Sequence, residues 1–159
     1  MQIERYDGDR EILLPLFALA DDSPMQVSSY IDEGEVLVAR DGNRIIGHVQ
    51  LIETGEGGVF ELKSLAVRPA RQSEGLGRAL VAAAVTRCRE RHGRRLIVST
   101  AAADIGNLRF YQRQGFRMWR IVQDAFGPST GYPEGSAVNG IPLRDQVVFE
   151  RDLGADEGG

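Results

Sequence analysis

Residues 65–80, Leu-Ala-Val-Arg-Pro-Ala-Arg-Gln-Ser-Glu-Gly-Leu-Gly-Arg-Ala-Leu, constrain the fold more than any other stretch of the chain. They read as an apolar strand end, a turn carrying Pro69, a glycine loop and the first turns of a helix. The first four N–H groups of a helix have no internal partners, and the helix dipole adds partial positive charge there. A strand that enters a helix through Gly75 and Gly77 therefore predicts a row of open amides suited to phosphate. The two glycines remove Cβ atoms that would hold a ligand off the backbone. Arg71 and Arg78 add charge-assisted donors.

Spacing separates the known phosphate loops. This loop contains no lysine, so it lacks the Gly-Lys-Ser/Thr end of a Walker loop, and Gly75-x-Gly77 lacks the third glycine of a dinucleotide fingerprint. Gln72-x-x-Gly75-x-Gly77, directly after Leu65-Ala66-Val67, resembles the acetyl-CoA pyrophosphate loop of the GNAT family of N-acetyltransferases. The bland alternative is a tight strand-to-helix turn whose glycines serve packing alone. A second motif, Asn107-Leu108-Arg109-Phe110-Tyr111-Gln112-Arg113-Gln114-Gly115-Phe116, resembles the same family. Asn107 and Tyr111 are four apart and share a helix face, and Gly115 suits a helix stop. The resemblance covers roughly residues 36–122.

Composition bounds the remaining possibilities. A chain of 159 residues, 42% hydrophobic, suits one compact domain over 1–153, with an acidic tail over 154–159. No apolar run is long enough for a membrane span, and residues 1–6 lack the apolar core of a signal peptide, so a cytoplasmic location is expected. The single Cys88 excludes an internal disulfide, and two histidines, His48 and His92, give metal or His-triad chemistry little support. No metal, nucleic acid or membrane partner is expected; the net charge of −4 points away from nucleic acid. Arg87, Arg89, Arg91, Arg94 and Arg95 read as a solvated helix end, or as a charged margin near nucleotide phosphates.

In chain order, 2–6 reads as a strand, and Pro15 argues against one unbroken helix near 12–17. A short helix is expected over 25–33 and a hairpin over 35–40 and 44–52, with Ile45, Val49 and Leu51 patterned at period two. His48 reads as structural or exposed ahead of a role as base. On the strand 59–67, alternation places Glu61, Lys63, Leu65 and Val67 on one face and Leu62, Ser64 and Ala66 on the other. A helix over 75–91, a buried strand over 96–98, the helix of the second motif, strands from 116–122 and 147–153, and a Gly/Pro-rich connection over 123–142 complete the reading. Strand, helix, strand predicts a right-handed crossover between parallel neighbours. The expected class is α/β: a mixed, mostly antiparallel sheet, splayed near Val67 and Leu96, flanked by helices.

The resemblance implies a mechanism: acetyl transfer from acetyl-CoA to a primary amine by direct attack on the thioester. It implies that Leu65, Ala66 and Val67 hold the pantetheine arm as an added strand would. It further implies that the amides of Gln72, Ser73, Glu74, Gly75, Leu76, Gly77 and Arg78 bind the pyrophosphate, that Asn107 contacts the arm, and that Tyr111 protonates the leaving thiolate. Glu61 is our candidate base, equally readable as an ion-paired or solvent-facing carboxylate. The loop 127–140, with Tyr132, is expected to form an acceptor-side lid, and a homodimer through the final strand is a further implication. A non-catalytic acyl-CoA sensor and a nucleotide-phosphate binder are the competing readings, and the amine itself is not legible.

Overall fold

The computed structural model describes residues 1–154; the rest of the expected tail lies outside the described residues. The elements are β1 (Gln2–Arg5), a 3₁₀ turn (Arg10–Leu13) leading into α1 (Leu14–Ala20), α2 (Pro24–Tyr30), β2 (Glu35–Asp41), β3 (Arg44–Glu53), β4 (Val59–Val67) and α3 (Leu76–Glu90). They continue with β5 (Arg95–Ala101), α4 (Ile105–Arg113), β6 (Arg117–Val122), a small hairpin of β7 (Ala137–Val138) and β8 (Ile141–Pro142), and β9 (Gln146–Asp152). Seven strands form one sheet in the order β1-β2-β3-β4-β5-β9-β6. Every neighbouring pair is antiparallel except β4 and β5, the pair joined through α3. This is the mixed, mostly antiparallel architecture expected from the sequence.

Local chemistry sets the helix starts. Pro15 falls in the first turn of α1, where a missing N–H costs no helical bond. The preceding 3₁₀ turn is capped by Asp9, which accepts from the Glu11 N–H at 2.9 Å. Ser23 caps α2 by accepting from the Gln26 N–H at 3.2 Å, and Asp104 caps α4 by accepting from the Asn107 N–H at 3.0 Å.

The sheet buries a different cluster on each face. Under α3, Leu80, Val81, Ala84, Val85 and Cys88 pack with Leu37, Ile46, Val49, Leu62 and Leu96. Under α1 and α2, Leu16, Phe17, Val27 and Tyr30 pack with Val36, Val38 and Ala66. Leu80, Leu96 and Phe17 are fully buried, each stabilising the fold by about 1.5–3 kcal/mol.

Two β-bulges overturn the simple alternation expected from the sequence. Gln50 pairs with Ser64 and Leu51 with Leu62, so Lys63 is an extra residue in β4. Before it, Phe60 and Leu62 face α3; after it, Leu65 and Val67 face α3, while Ala66 faces α1 and α2. Leu65 and Val67 therefore do not share a face with Glu61 and Lys63. A second bulge at Ile46, opposite the step from Ala39 to Arg40, places Ile46 with Val49 and Leu51, and turns Ile45 to the other face.

The bulge in β4 also opens the sheet. Pairing with β5 covers Val59–Glu61 against Arg95–Ile97 and goes no further. Beyond that point β4 stays with β3 and β5 stays with β9. The final strand, β9, lies between β5 and β6 with both edges paired, so it offers no free edge for the dimer contact expected of it.

Candidate active site

The splay between β4 and β5 opens into a cavity of about 1100 Å³. On one wall the Arg68 N–H donates to the Ile46 carbonyl across to β3 at 2.8 Å. Backbone groups alternate sides along a strand, so those of Leu65 and Val67 point the other way, into the splay. The Val67 carbonyl accepts from the Gln72 side chain at 3.0 Å. The opposite wall is the segment 98–101 of β5.

At the end of β4 the chain turns through two left-handed residues, Ser73 at φ +72° and Gly75 at φ +82°. Gly75 is the N-cap of α3, and among the described residues no side chain caps the start of that helix. Among the described residues, no N–H from 73 to 78 finds a protein acceptor. These groups form the open row expected from the sequence, beside the cavity lined by Gln72, Ser73, Gly75, Leu76, Gly77 and Arg78. Gly75 is required for its backbone conformation. At Gly77 an added Cβ would meet the Phe110 ring at 3.5 Å, an ordinary contact, so packing alone does not demand glycine there.

The charges around this loop differ from expectation. Arg71 is held by Asp41 at 2.9 Å and by Glu74 at 3.0 Å, so its guanidinium and the Glu74 carboxylate are engaged with each other. Arg78, Arg109 and Arg113 line the cavity; the last two stand one turn apart on α4, an i,i+4 pair that the sequence reading passed over. The arginines at the end of α3 have no part in this site. Arg87 and Arg91 pair with Glu35, Arg94 with Glu56 and Arg95 with Glu150.

The helix α4 closes the cavity from one side. Asn107 donates through Nδ2 to Thr100 Oγ1 on β5 at 3.0 Å. Tyr111 is 5% exposed, with its ring edge-on to Phe110 and Phe116. It lines the cavity, and no described residue hydrogen-bonds its hydroxyl. Burial pushes the Tyr111 phenol upward, with the Asp104 charge adding to the shift, so the phenol stays protonated.

At the other end, the bulged part of β4 meets α2. Glu61 and Lys63 form a half-exposed pair at 4.0 Å, with the Lys63 ammonium 4.7 Å above the Tyr30 ring. Asp21 accepts from Tyr30 Oη at 2.8 Å and from Tyr132 Oη at 2.5 Å. Ser23 Oγ donates to the Thr130 carbonyl at 3.0 Å. Two tethers thus hold the loop around Tyr132 against the start of α2 as a wall of the cavity. Burial first, then the Asp21 carboxylate, pushes both phenols upward.

His48 lies behind this wall, fully buried and stacked on Phe17 at 4.3 Å. Its Nε2 is 2.8 Å from Ser64 Oγ, and its Nδ1 has no partner among the described residues. Burial pushes the imidazole down to about 3, so it is neutral near pH 7 and a poor proton acceptor. The sequence reading of a structural histidine holds, and the exposed alternative does not.

Comparison with known proteins agrees with this geometry. The Acetyltransferase (GNAT) family profile matches residues 9–116. The uncharacterized N-acetyltransferase YvbK of Bacillus subtilis (strain 168) is 31% identical over 153 residues, 96% of this chain and 97% of YvbK. Among solved structures, an IAA acetyltransferase from Bacillus cereus ATCC 14579 superposes with a TM-score of 0.84 at 31% identity, covering 95% of this chain and 98% of that one. A GNAT family acetyltransferase from Elizabethkingia anophelis, solved with acetyl-CoA bound, gives a TM-score of 0.86 at 28% identity, covering 95% and 97%. The chain belongs to the GNAT family and is an acetyl-CoA-dependent N-acyltransferase.

Proposed function

We propose that this protein transfers the acetyl group of acetyl-CoA to a primary amine bound between β4, α2 and the loop around Tyr132. The observation that carries the reading is the run of unpartnered amides at 73–78, continuous with the open backbone edge of Leu65 and Val67. A diphosphate matches the first feature, and an extended amide-bearing arm matches the second, in the manner of an added strand. Leu65 and Val67 then hold the arm, while the backbone of Ala66 between them is turned to β3 and, against expectation, does not bond it, and Gln72, Ser73, Glu74, Gly75, Leu76, Gly77 and Arg78 hold the diphosphate, chiefly through backbone N–H groups. Asn107 flanks the arm. Acetyl-CoA is the activated acyl donor.

The protein's own groups manage two protons. A lysine-like amine has a reference pKa of about 10.4 and must arrive neutral. Glu61 takes its proton directly or through water; the 26% exposure of the Glu61 side chain supports access to either. Tyr111 faces the leaving sulfur. With its phenol raised by burial, full proton transfer to a thiolate of reference pKa about 8.5 runs uphill. A charge-assisted hydrogen bond from the Tyr111 hydroxyl stabilises that thiolate without moving the proton.

The experiment is acetyl-CoA-dependent thiol release across a panel of peptide, aminoglycoside, polyamine and amino-acid amines. Turnover with at least one class is expected, with the acid limb of its pH–rate profile displaced in Glu61→Gln. An unshifted profile removes Glu61 from the base role.

A further inference from the structure

Lys63 is the only lysine in the chain; every other cation among its 19 Lys and Arg residues is a guanidinium. Guanidinium stays protonated and does not act as an acyl acceptor, whereas an amine can. The chain's one side-chain amine thus stands inside the candidate active site, at the bulge that opens the sheet. Its Nζ lies over the Tyr30 ring at 4.7 Å and 4.0 Å from Glu61. One-third of its side chain is exposed, so it is open to the cavity.

A bracing role does not explain this choice. A half-exposed pair at this distance contributes about 0–1 kcal/mol. Arginine, used at every other ion pair of the described residues, would brace a carboxylate better through its planar fork. What lysine alone adds is a nucleophilic nitrogen beside the group assigned as base.

We propose that Lys63 is an internal acetyl acceptor, so that the protein acetylates itself at this residue when no external amine fills the site. The inference rests on the acetyl-transfer reading above. In the reaction the Lys63 ammonium gives a proton to Glu61, and Nζ attacks the thioester carbonyl carbon. A C–N bond forms, the C–S bond breaks, and CoA departs as thiolate. The second proton from nitrogen returns the thiolate to thiol, and Glu61 releases its proton to water. The products are N-acetyl-Lys63, CoA thiol and one proton.

The test is mass spectrometry of the folded full chain incubated with isotopically labelled acetyl-CoA and no added amine. Peptide mapping reads Lys63 separately from the Met1 amine. One label on Lys63 is expected, absent from Lys63→Arg, slowed roughly 100-fold in Glu61→Gln, and much faster than in heat-unfolded protein. An unlabelled Lys63 in a preparation that acetylates an added amine would overturn the proposal and leave the transfer reading intact. Equal labelling of native and unfolded protein would also overturn it, as simple chemical acetylation. Acetylation of neither Lys63 nor any amine would overturn both.

Discussion

Removing one oxygen from Tyr111 separates chemistry from structure. The ring sits edge-on to Phe110 at 5.1 Å and Phe116 at 5.6 Å, and lies 6.0 Å from Phe149. Tyr111→Phe keeps all three contacts. No described residue bonds the hydroxyl, so among the described residues its loss leaves no buried donor or acceptor stranded, and stability should change by less than about 0.5 kcal/mol. Removing one preorganised donor from a developing anion costs about 100- to 1,000-fold in kcat, or about 2.7–4 kcal/mol. The assay pairs thiol-release kinetics with direct titration of acetyl-CoA. We expect kcat to fall within that range while donor affinity and the thermal midpoint hold. A kcat loss below about threefold in a folded variant, or a loss entirely in donor affinity, would refute the placement of this hydroxyl beside the sulfur.

Other perturbations follow from particular contacts. Burial lowers the folded-state pKa of His48 to about 3, so its contribution is present above the unfolded value of about 6.5 and is lost as pH falls towards 3. Urea unfolding should show a loss of about 1.4 kcal/mol per pH unit across that window, and His48→Gln should flatten it; parallel slopes would contradict the assignment. Gly131 has φ +89°, and an added Cβ would meet Ser23 Oγ at 2.1 Å. Gly131→Ala should destabilise the wall by about 1–3 kcal/mol and raise KM for the amine more than for acetyl-CoA; the reverse pattern would argue against an acceptor-side role. Asp21→Asn removes the charge that receives two phenols, so protease cleavage near Tyr132 should speed up by about tenfold; an unchanged rate would show that Asp21 is not the tether.

The features legible in sequence were those set by neighbouring residues. The amide row depends on a strand, two glycines and a helix start within 65–80, and local rules suffice for it. The α4 motif was legible for the same reason, since Asn107 and Tyr111 need only one helical turn. The bulge at Lys63 was not legible: it is created by how β4 pairs with β3, and nothing in Leu-Lys-Ser-Leu marks an extra residue. One unseen bulge misplaced the faces of four side chains. The Asp21–Tyr132 bond spans 111 residues, a separation at which residue type alone gives no partner. His48 follows the same logic, because its burial depends on Phe17 from a different element. The arginines at the end of α3 match neither reading fully: they stand away from the cavity, but as ion pairs with Glu35, Glu56 and Glu150 formed across elements rather than as a solvated helix end.

The account rests on the donor lying along the splay with its diphosphate on the start of α3. A crystal structure of the full chain with CoA tests this most directly. The account predicts diphosphate oxygens within hydrogen-bond distance of N–H groups in 73–78, the arm bonded to the backbone of Leu65 and Val67, and the sulfur beside the Tyr111 hydroxyl. CoA bound elsewhere, or bound with its sulfur remote from Tyr111, would contradict it.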